Sequence, residues 1–273
     1  LGEYLDEDVL ARLIAEVDEV YREFGAPDRL YGDQAQRADS WAERAVAHGL
    51  ELVRCPVRHL GTENAASVLA ALRAALEGRV EIRTGVDVLE ILTSSASGSG
   101  RDDRRGGGRS DGPERGAPTG RVVGVRTADG AVYESEAVIA APGRQGSAWL
   151  TEEATRLGIP LVSNAVDIGV RVEVPAAVTG SITDDLYEPK LLYTSRHFAD
   201  RVRTFCMNPG GVVCTESWGD AVTVNGHSYA DDDRKTQNTN FALLVSTRFT
   251  EPFKEPIEYG KSIARLANML GKD

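Results

Sequence analysis

The chain has 273 residues, of which 41% are hydrophobic and 27% charged, and its formal net charge is −11. This composition is ordinary for a folded globular protein, and the length allows one large domain or two smaller ones. The acidic balance argues against nucleic acid as the main partner, because phosphate binding needs a basic surface. No apolar run approaches the length of a membrane span and no signal-peptide pattern is visible, so we expect a cytoplasmic protein without a membrane partner.

The first 80 residues are predicted to be mainly helical. Residues 5–24 carry apolar side chains at helical spacing, with Asp6 suited to begin the helix and Gly25 to end it. A more polar helix is predicted over residues 33–49, followed by a short extended segment. Thr62 is suited to cap a third helix. The apolar stripe expected to face the core in this third helix is Val68, Leu69, Leu72 and Leu76.

Strands are predicted from Val80 onward. Residues 80–85 and 86–92 read as two strands, and residues 120–141 as a hairpin that turns at Asp129–Gly130, a strong hairpin signal. The interruption, residues 93–120, is rich in Gly, Ser, Arg and Asp. It has too few large apolar residues to order itself, so we predict a disordered surface loop.

The second half is predicted to be rich in strands. A helix runs from about Trp149 to Gly158, and a final helix over residues 256–270 directs Ile257, Ile263, Leu266 and Leu270 inward. Between these helices, the six predicted strands cover residues 167–175, 190–196, 202–208, 210–217, 221–229 and 241–249. Helices and strands mix without a strict alternation, which favours an α+β layout.

The segment YESEAVIAAPGRQGS, residues 133–147, contains a predicted strand that ends in small residues. Val138, Ile139 and Ala140 form a short apolar run bounded by turn residues, which is typical of a buried strand. The following APGRQG lacks bulky side chains, and small residues at the carboxyl end of a strand let another group approach the backbone. The pattern indicates a ligand or partner at this position.

The cysteines and aspartates predict no metal site. Cys55, Cys206 and Cys214 are odd in number and show no CxxC spacing, so neither a disulfide framework nor a zinc site is indicated. The run Asp231–Asp233 is better explained as a solvated loop, because consecutive carboxylates do not converge easily on one ion. The motifs of serine hydrolases, zincins and P-loop proteins do not occur in the sequence.

The order of these elements resembles the middle of FAD-dependent oxidoreductases of the two-dinucleotide-binding-domain type, in the FAD/NAD(P)-binding superfamily. The segments TFCMNPGGVV, VNGHSYADDD and NTNFALLVST resemble more narrowly a bacterial family of FAD-dependent dehydrogenases. The resemblance implies an α/β to α+β fold in three parts. Residues 1–60 are a helical lead-in on the substrate or cap side, 61–160 part of a Rossmann-like FAD-binding domain, and 161–273 a β-rich mixed-sheet substrate or cap domain with flanking helices.

The sequence departs from that pattern at the flavin motifs. Such enzymes open with strand–GxGxxG–helix, which holds the pyrophosphate on backbone N–H groups, and close with a second Gly-Asp-rich flavin segment. Neither motif is present, and the chain begins at Leu1 without an initiator methionine. We therefore expect an internal fragment that binds FAD poorly on its own and whose partner is the remainder of its own flavin-binding domain.

The resemblance also implies cofactor-binding residues. They are Val86, Val88, Ala141, Pro142, Gly143, Arg144, Gly210 and Gly211. The strand end at 141–144 would pack beside the pyrophosphate and ribose, where Gly143 permits close approach and Arg144 offers planar donors. The backbone around Val86 and Val88 would line the adenine. An ordinary strand-to-helix turn and a plain core strand are the alternatives.

Three residues are candidates for the chemistry. The turn after Cys206 and Asn208 would lie over the reactive ring of the flavin, with one of these side chains facing the substrate. The alternative for Cys206 is a small buried hydrophobic residue. His227, after the predicted turn Asn225–Gly226, is a candidate proton donor or acceptor, and the alternative is a hydrogen-bonded structural histidine.

These features predict an FAD-dependent oxidoreductase. It would transfer a hydride through the flavin to or from a small-molecule substrate, with NAD(P)H as a possible co-substrate. Two alternatives stay open at this point. One is a non-catalytic α+β binding module that kept the architecture, and the other is a flavin monooxygenase or reductase that acts on a hydrophobic substrate.

Overall fold

The computed structural model describes residues 5–94, 120–218, 221–249 and 255–271. These residues divide into two compact units. The smaller unit is Glu81–Val162, and the larger unit is built from the described residues on either side of it. Most of the predicted loop over residues 93–120 lies outside the described residues.

Helices and strands occur in both units. The helices of the described ranges are α1 (Glu7–Glu23), α2 (Ala35–Ala47), α3 (Thr62–Leu76), α4 (Ser147–Arg156), α5 (Ala176–Leu186) and α6 (Pro256–Gly271). The strands are β1 (Glu51–Val53), β2 (Val88–Thr93), β3 (Val122–Thr127), β4 (Val132–Glu134), β5 (Val166–Pro175), β6 (Lys190–Thr194), β7 (Arg201–Pro209), β8 (Val212–Trp218), β9 (Ala221–His227) and β10 (Asn238–Thr247).

The larger unit is built on a five-stranded antiparallel sheet with the order β1-β6-β7-β10-β5. Strand β10 pairs along its whole length with β5, from Asn238 opposite Pro175 to Thr247 opposite Val166. A separate hairpin joins β8 to β9, with Val212 opposite His227. All six strands predicted in the second half are present, and the mixture of helices with antiparallel sheets confirms the α+β layout.

Strand β7 contains a β-bulge beside the middle of β10. Asn208 lies opposite Asn240, whereas Phe205 lies opposite Ala242, so β7 carries one more residue than β10 in this interval. Cys206 sits in the bulge with φ of 48°, a left-handed conformation that is rare for a residue with a side chain. Bulges redirect side chains and occur often beside functional sites.

The smaller unit is a three-stranded antiparallel sheet, β2-β3-β4, joined to α4. The predicted turn at Asp129–Gly130 is confirmed, with the Thr127 hydroxyl donating to the Asp129 carboxylate over 2.6 Å. Glu153 of α4 is buried and accepts a 2.8 Å hydrogen bond from the backbone N–H of Ile91 in β2. This buried carboxylate connects the helix to the sheet.

The predicted strand over Val138–Ala140 is wrong. No strand in the described part of the chain pairs with these residues, and the Ile139 side chain is 94% exposed. A strand forms only when its N–H and C=O groups find a neighbouring strand, which an apolar run cannot specify. The strand predicted over residues 80–85 is absent for the same reason, and Ile82 is 47% exposed.

Two local predictions of turns and caps are also wrong. Asn225 and Gly226 lie inside β9, paired with Cys214 and Val213, rather than in a turn. Gly61, with φ of 82°, precedes the first turn of α3, and Thr62 begins the helix without capping it. In addition, α5 was not predicted, because its β-branched residues and Gly180 have low helix propensity.

The apolar stripes of three helices are covered only in part. Val68 of α3 is buried, as predicted, whereas Leu69 in the same stripe is 61% exposed. No residue of α1 is buried, and Ile257, Leu266 and Leu270 of α6 are exposed rather than inward. Helical periodicity identifies the apolar face of a helix, but another element must pack on that face before it is buried.

We predict that Glu153→Ala destabilises the smaller unit by about 1–3 kcal/mol, because the buried N–H of Ile91 loses its acceptor. Urea unfolding followed by circular dichroism would measure this change. Glu152→Ala, at an exposed neighbouring position of the same helix, is the matched control and should shift stability by less than about 0.5 kcal/mol. Equal unfolding midpoints for the two variants would contradict the structural role of Glu153.

Candidate functional site

Four polar side chains meet at the bulge in the larger unit. We call Arg171, Asn208, Asn225 and Asn240 the Arg–Asn cluster. They come from β5, β7, β9 and β10 respectively, so the cluster joins the main sheet to the β8–β9 hairpin. Asn208 is 6% exposed and Asn240 is fully buried, whereas Arg171 and Asn225 are half-buried.

Hydrogen bonds connect all members of the cluster. The Asn240 Oδ1 atom accepts from Arg171 over 2.7 Å and from the Asn208 amide over 3.3 Å. The other terminal nitrogen of Arg171 donates to Asn225 Oδ1 over 3.2 Å. The guanidinium group of Arg171 is thus held against three strands.

The cluster holds the strained backbone of Cys206. The Cys206 carbonyl accepts from Asn208 Nδ2 over 2.6 Å and from Arg171 over 3.2 Å, and its N–H donates to Glu188 over 3.2 Å. A residue with a side chain in such a conformation costs about 1–3 kcal/mol, and it persists when its surroundings determine the backbone. The half-buried Cys206 thiol lies 3.5 Å from Asn208 Nδ2.

Two buried donors in the cluster have no acceptor among the described residues. They are Nε of Arg171 and Nδ2 of Asn240. The acceptors that Arg171 does contact are the neutral oxygens of Cys206, Asn225 and Asn240. The site is therefore rich in donors, and the described residues place no carboxylate against its cation.

A second group of titratable side chains lies at the start of α3. The His59 ring stacks on Tyr187, with ring centroids 4.2 Å apart, and the tilted Tyr31 ring also contacts Tyr187, with a centroid distance of 4.9 Å. Burial lowers the pKa of His59 and raises the pKa of the Tyr187 phenol. Both side chains are therefore held neutral near pH 7. Glu188, which accepts from Cys206, follows Tyr187 directly and links this group to the bulge.

The structure brings Cys206 and Asn208 together, as candidate residues of one site. Gly210 has φ of 62° in the predicted turn after Pro209, and both Gly210 and Gly211 are buried. His227 ends β9, and its Nδ1 atom lies 3.1 Å from the Thr62 hydroxyl. The turn is confirmed, whereas the proposed contacts of these residues with flavin or substrate stay predictions.

The other predicted cofactor residues lie in the smaller unit. Val88 begins β2 and Val86 lies two residues before it, and their side chains are 38% and 40% exposed. The residues Ala141, Pro142, Gly143 and Arg144 are exposed and precede α4. Their contact with a flavin stays a prediction.

Whether residues 141–144 fit an FAD can be judged from their surroundings. A diphosphate needs backbone N–H groups gathered at a close approach, usually through glycines that leave no room for a Cβ atom. Gly143 has φ of 68°, but no atom lies within 4 Å of the position that a Cβ would take there. These residues alone therefore do not form an FAD cradle.

The sequence interpretation missed Arg171 and Asn240, and it placed Asn225 in a turn. A signal was available, because asparagine is depleted in strands, yet the strands of this unit contain Asn208, Asn225, Asn238 and Asn240. The convergence of Asn208, Asn225 and Asn240 was not visible, because it depends on strand order and on the position of the hairpin.

The described residues contain no group of three or more His, Cys, Asp or Glu side chains that could hold a metal ion. Asp231 instead accepts a 3.1 Å hydrogen bond from the backbone N–H of Asp233 in a short 3₁₀ turn. Within the same described ranges, every helix is too short or too polar to cross a bilayer.

Comparison with known families adds one finding. Residues 165–271 match the family described as FAD-dependent protein, C-terminal domain-like. No curated protein matches the chain. The matched range contains all four members of the Arg–Asn cluster, as well as Cys206 and His227. The similarity supports an FAD-dependent protein.

We predict that Gly226→Ala disrupts the cluster. A Cβ atom at this position would collide with Asn240 Oδ1, Asn208 Nδ2 and a terminal nitrogen of Arg171. Overpacking of this kind costs about 1–3 kcal/mol, which thermal or urea unfolding would measure. Gly180→Ala in α5 is the matched control, because no atom lies within 4 Å of its Cβ position. The control should gain up to about 1 kcal/mol from helix propensity, and similar losses in both variants would refute the packing account.

We also predict that His59 makes stability depend on pH. In the folded protein the pKa of His59 is lowered below its usual value of 6.5. At a pH between the folded and unfolded pKa of His59, the unfolded chain therefore binds more protons than the folded protein. Stability should therefore fall as the pH drops below about 6.5, and His59→Phe, which keeps an aromatic ring against Tyr187, should remove this part of the loss.

The measurement is urea unfolding of both proteins from pH 8 to pH 5. His197→Phe, at an exposed position, is the control and should keep the wild-type slope. Identical pH dependence for His59→Phe and the wild type would show that burial of His59 has no energetic consequence.

Proposed function

We propose that the protein is an FAD-dependent oxidoreductase of the dehydrogenase type, as found in bacteria, which exchanges a hydride with a small-molecule substrate. The observation that carries this proposal is the match of residues 165–271 to an FAD-dependent family. When bound, a flavin would supply the hydride chemistry, and the protein would supply binding and electrostatics. NAD(P)H is the proposed co-substrate.

The proposal gives the two units different roles. The larger unit acts as the substrate or cap domain, with the side chains of Cys206 and Asn208 facing the substrate beside the donors of the Arg–Asn cluster. His227 is a further candidate for proton transfer, although its Nδ1 atom already contacts Thr62. The turn at Gly210 and Gly211 forms a wall of this site.

The smaller unit would contribute to the cofactor site. Residues 141–144 flank the pyrophosphate and ribose, and the backbone around Val86 and Val88 lines the adenine. Ile139, which is 94% exposed beside this segment, would be available for contact with a cofactor or with a further part of a flavin-binding domain. The phosphate cradle would come from that further part, in keeping with the poor fit of residues 141–144 alone.

The second candidate function is a non-catalytic α+β binding module. It is favoured by the same exposed residues 141–144, which do not enclose a cofactor. The two functions differ in whether the protein retains flavin, so one measurement separates them.

We predict that the protein, expressed from its complete reading frame, copurifies with FAD or takes up added FAD with the visible absorbance of a bound flavin. Arg144→Gln should weaken FAD binding about tenfold or more, since charge-assisted hydrogen bonds to phosphate contribute about 1.5–3 kcal/mol. Fluorescence titration with FAD would measure the dissociation constants.

Arg121→Gln is the matched control, because Arg121 is another exposed arginine of the smaller unit and lies outside the proposed cofactor residues. A colourless protein that ignores added FAD would favour the binding module instead. An unchanged dissociation constant for Arg144→Gln would remove Arg144 from the cofactor site and leave the rest of the proposal intact.

A further inference from the structure

The Arg–Asn cluster offers an unusual excess of hydrogen-bond donors. Asn240 is fully buried, and its Nδ2 atom has no acceptor in the described part of the chain. The Nε atom of Arg171 is in the same condition. Buried donors without acceptors are rare in folded proteins and cost free energy, so each one calls for an explanation.

The two donors belong to side chains that are hydrogen bonded to each other. The Asn240 Oδ1 atom accepts from a terminal nitrogen of Arg171 over 2.7 Å. In Asn240, the unused Nδ2 atom is attached to the same carbon as the accepting Oδ1 atom. In Arg171, the unused Nε atom is attached to the same carbon as the donating terminal nitrogen. One small group with two acceptor oxygens is therefore the natural partner for both.

The positive charge of Arg171 favours an anion as the group that accepts from these two donors. The described contacts of Arg171 are with neutral oxygens of Cys206, Asn225 and Asn240. The guanidinium of Arg171 is half-buried with its Nε atom fully buried, and its planar donors match a carboxylate in shape and charge. A neutral ligand would satisfy the hydrogen bonds but would leave the positive charge without a partner.

We propose that the Arg–Asn cluster binds a carboxylate group of a small-molecule ligand through Arg171 and Asn240. The ligand would approach from the side of Arg171, Asn225 and Cys206, the half-buried members of the site. The carboxylate accepts from Arg171 Nε and Asn240 Nδ2, and the rest of the ligand extends past the Cys206 bulge.

The surrounding backbone is arranged around these donors. Cys206 keeps its strained conformation through hydrogen bonds from Arg171 and Asn208 to its carbonyl. The lack of a side chain at Gly226 lets β9 pass directly against Arg171, Asn208 and Asn240. Strain and close backbone approach of this kind concentrate at binding sites.

This inference rests on the proposed function in one respect, namely that the bound carboxylate belongs to the substrate of the oxidoreductase. Binding of the carboxylate itself needs no flavin. The two ideas can therefore fail separately, provided that FAD binding and carboxylate binding are measured on the same preparation.

The experiment compares propionate with propionamide, which have nearly the same shape but differ in charge. Thermal unfolding of the wild-type protein is followed with increasing amounts of either compound, with total ionic strength held constant by sodium chloride. Propionate should raise the melting temperature steadily with the logarithm of its concentration once that exceeds the dissociation constant, because it binds the folded state only. Propionamide should produce little change.

Two variants locate the effect. Asn240→Asp replaces the unused Nδ2 with an oxygen and places a carboxylate beside Arg171, so it should weaken propionate binding about tenfold or more. Arg171→Gln removes the cation and should have the same result. Arg203→Gln is the matched control, because this arginine of β7 is already paired with Asp167 and should leave the propionate response unchanged.

The possible results are distinct. A rise in melting temperature with propionate that is lost in Asn240→Asp and kept in Arg203→Gln supports the proposal, and Asn240→Asp decides the matter if Arg171→Gln does not fold. No response in the wild type, an equal response to propionamide, or a response that survives in Asn240→Asp would overturn it. Propionate binding without FAD binding would support the carboxylate site and reject the oxidoreductase. FAD binding without propionate binding would support the oxidoreductase and reject the carboxylate site.

Discussion

The arrangement of the larger unit depends on the hydrogen bonds that one buried oxygen, Oδ1 of Asn240, accepts from Arg171 and Asn208. These bonds join the three strands β5, β10 and β7 through their side chains, in addition to the backbone ladder. Arg171 then reaches Asn225 in β9, which attaches the β8–β9 hairpin to the sheet. A buried polar network stabilises a fold only when its members are satisfied, so its two unused donors are the most informative feature of the unit.

The bulge at Cys206 shows how the sheet produces a site. A regular β7 would pair with β10 without interruption, and the Cys206 carbonyl would form a ladder hydrogen bond. The extra residue turns that carbonyl toward Arg171 and Asn208, whose donors compensate for the left-handed backbone. Backbone strain and the polar cluster thus depend on each other, because neither is favourable alone.

Each unit buries its own polar groups. The larger unit concentrates buried polar groups around Arg171 and around the His59–Tyr187 stack, where burial keeps both rings neutral near pH 7. The smaller unit buries the Glu153 carboxylate against β2 and exposes Ile139 beside the glycine-containing segment before α4. The buried donors around Arg171 are consistent with a site for a polar ligand in the larger unit.

Local patterns in the sequence determined the second-half strands, the Asp129–Gly130 hairpin and the positions of α1, α3 and α6, because alternation, helical periodicity and turn residues act over a few neighbouring residues. They also marked Cys206 and Asn208 as parts of one segment. Only the tertiary structure decided that Val138–Ala140 has no strand partner among the described residues and that Arg171 meets Asn240 and Asn225. Those outcomes depend on strand order and register between residues far apart in the chain, and a strand or a buried charge is stable only when its partner is in place.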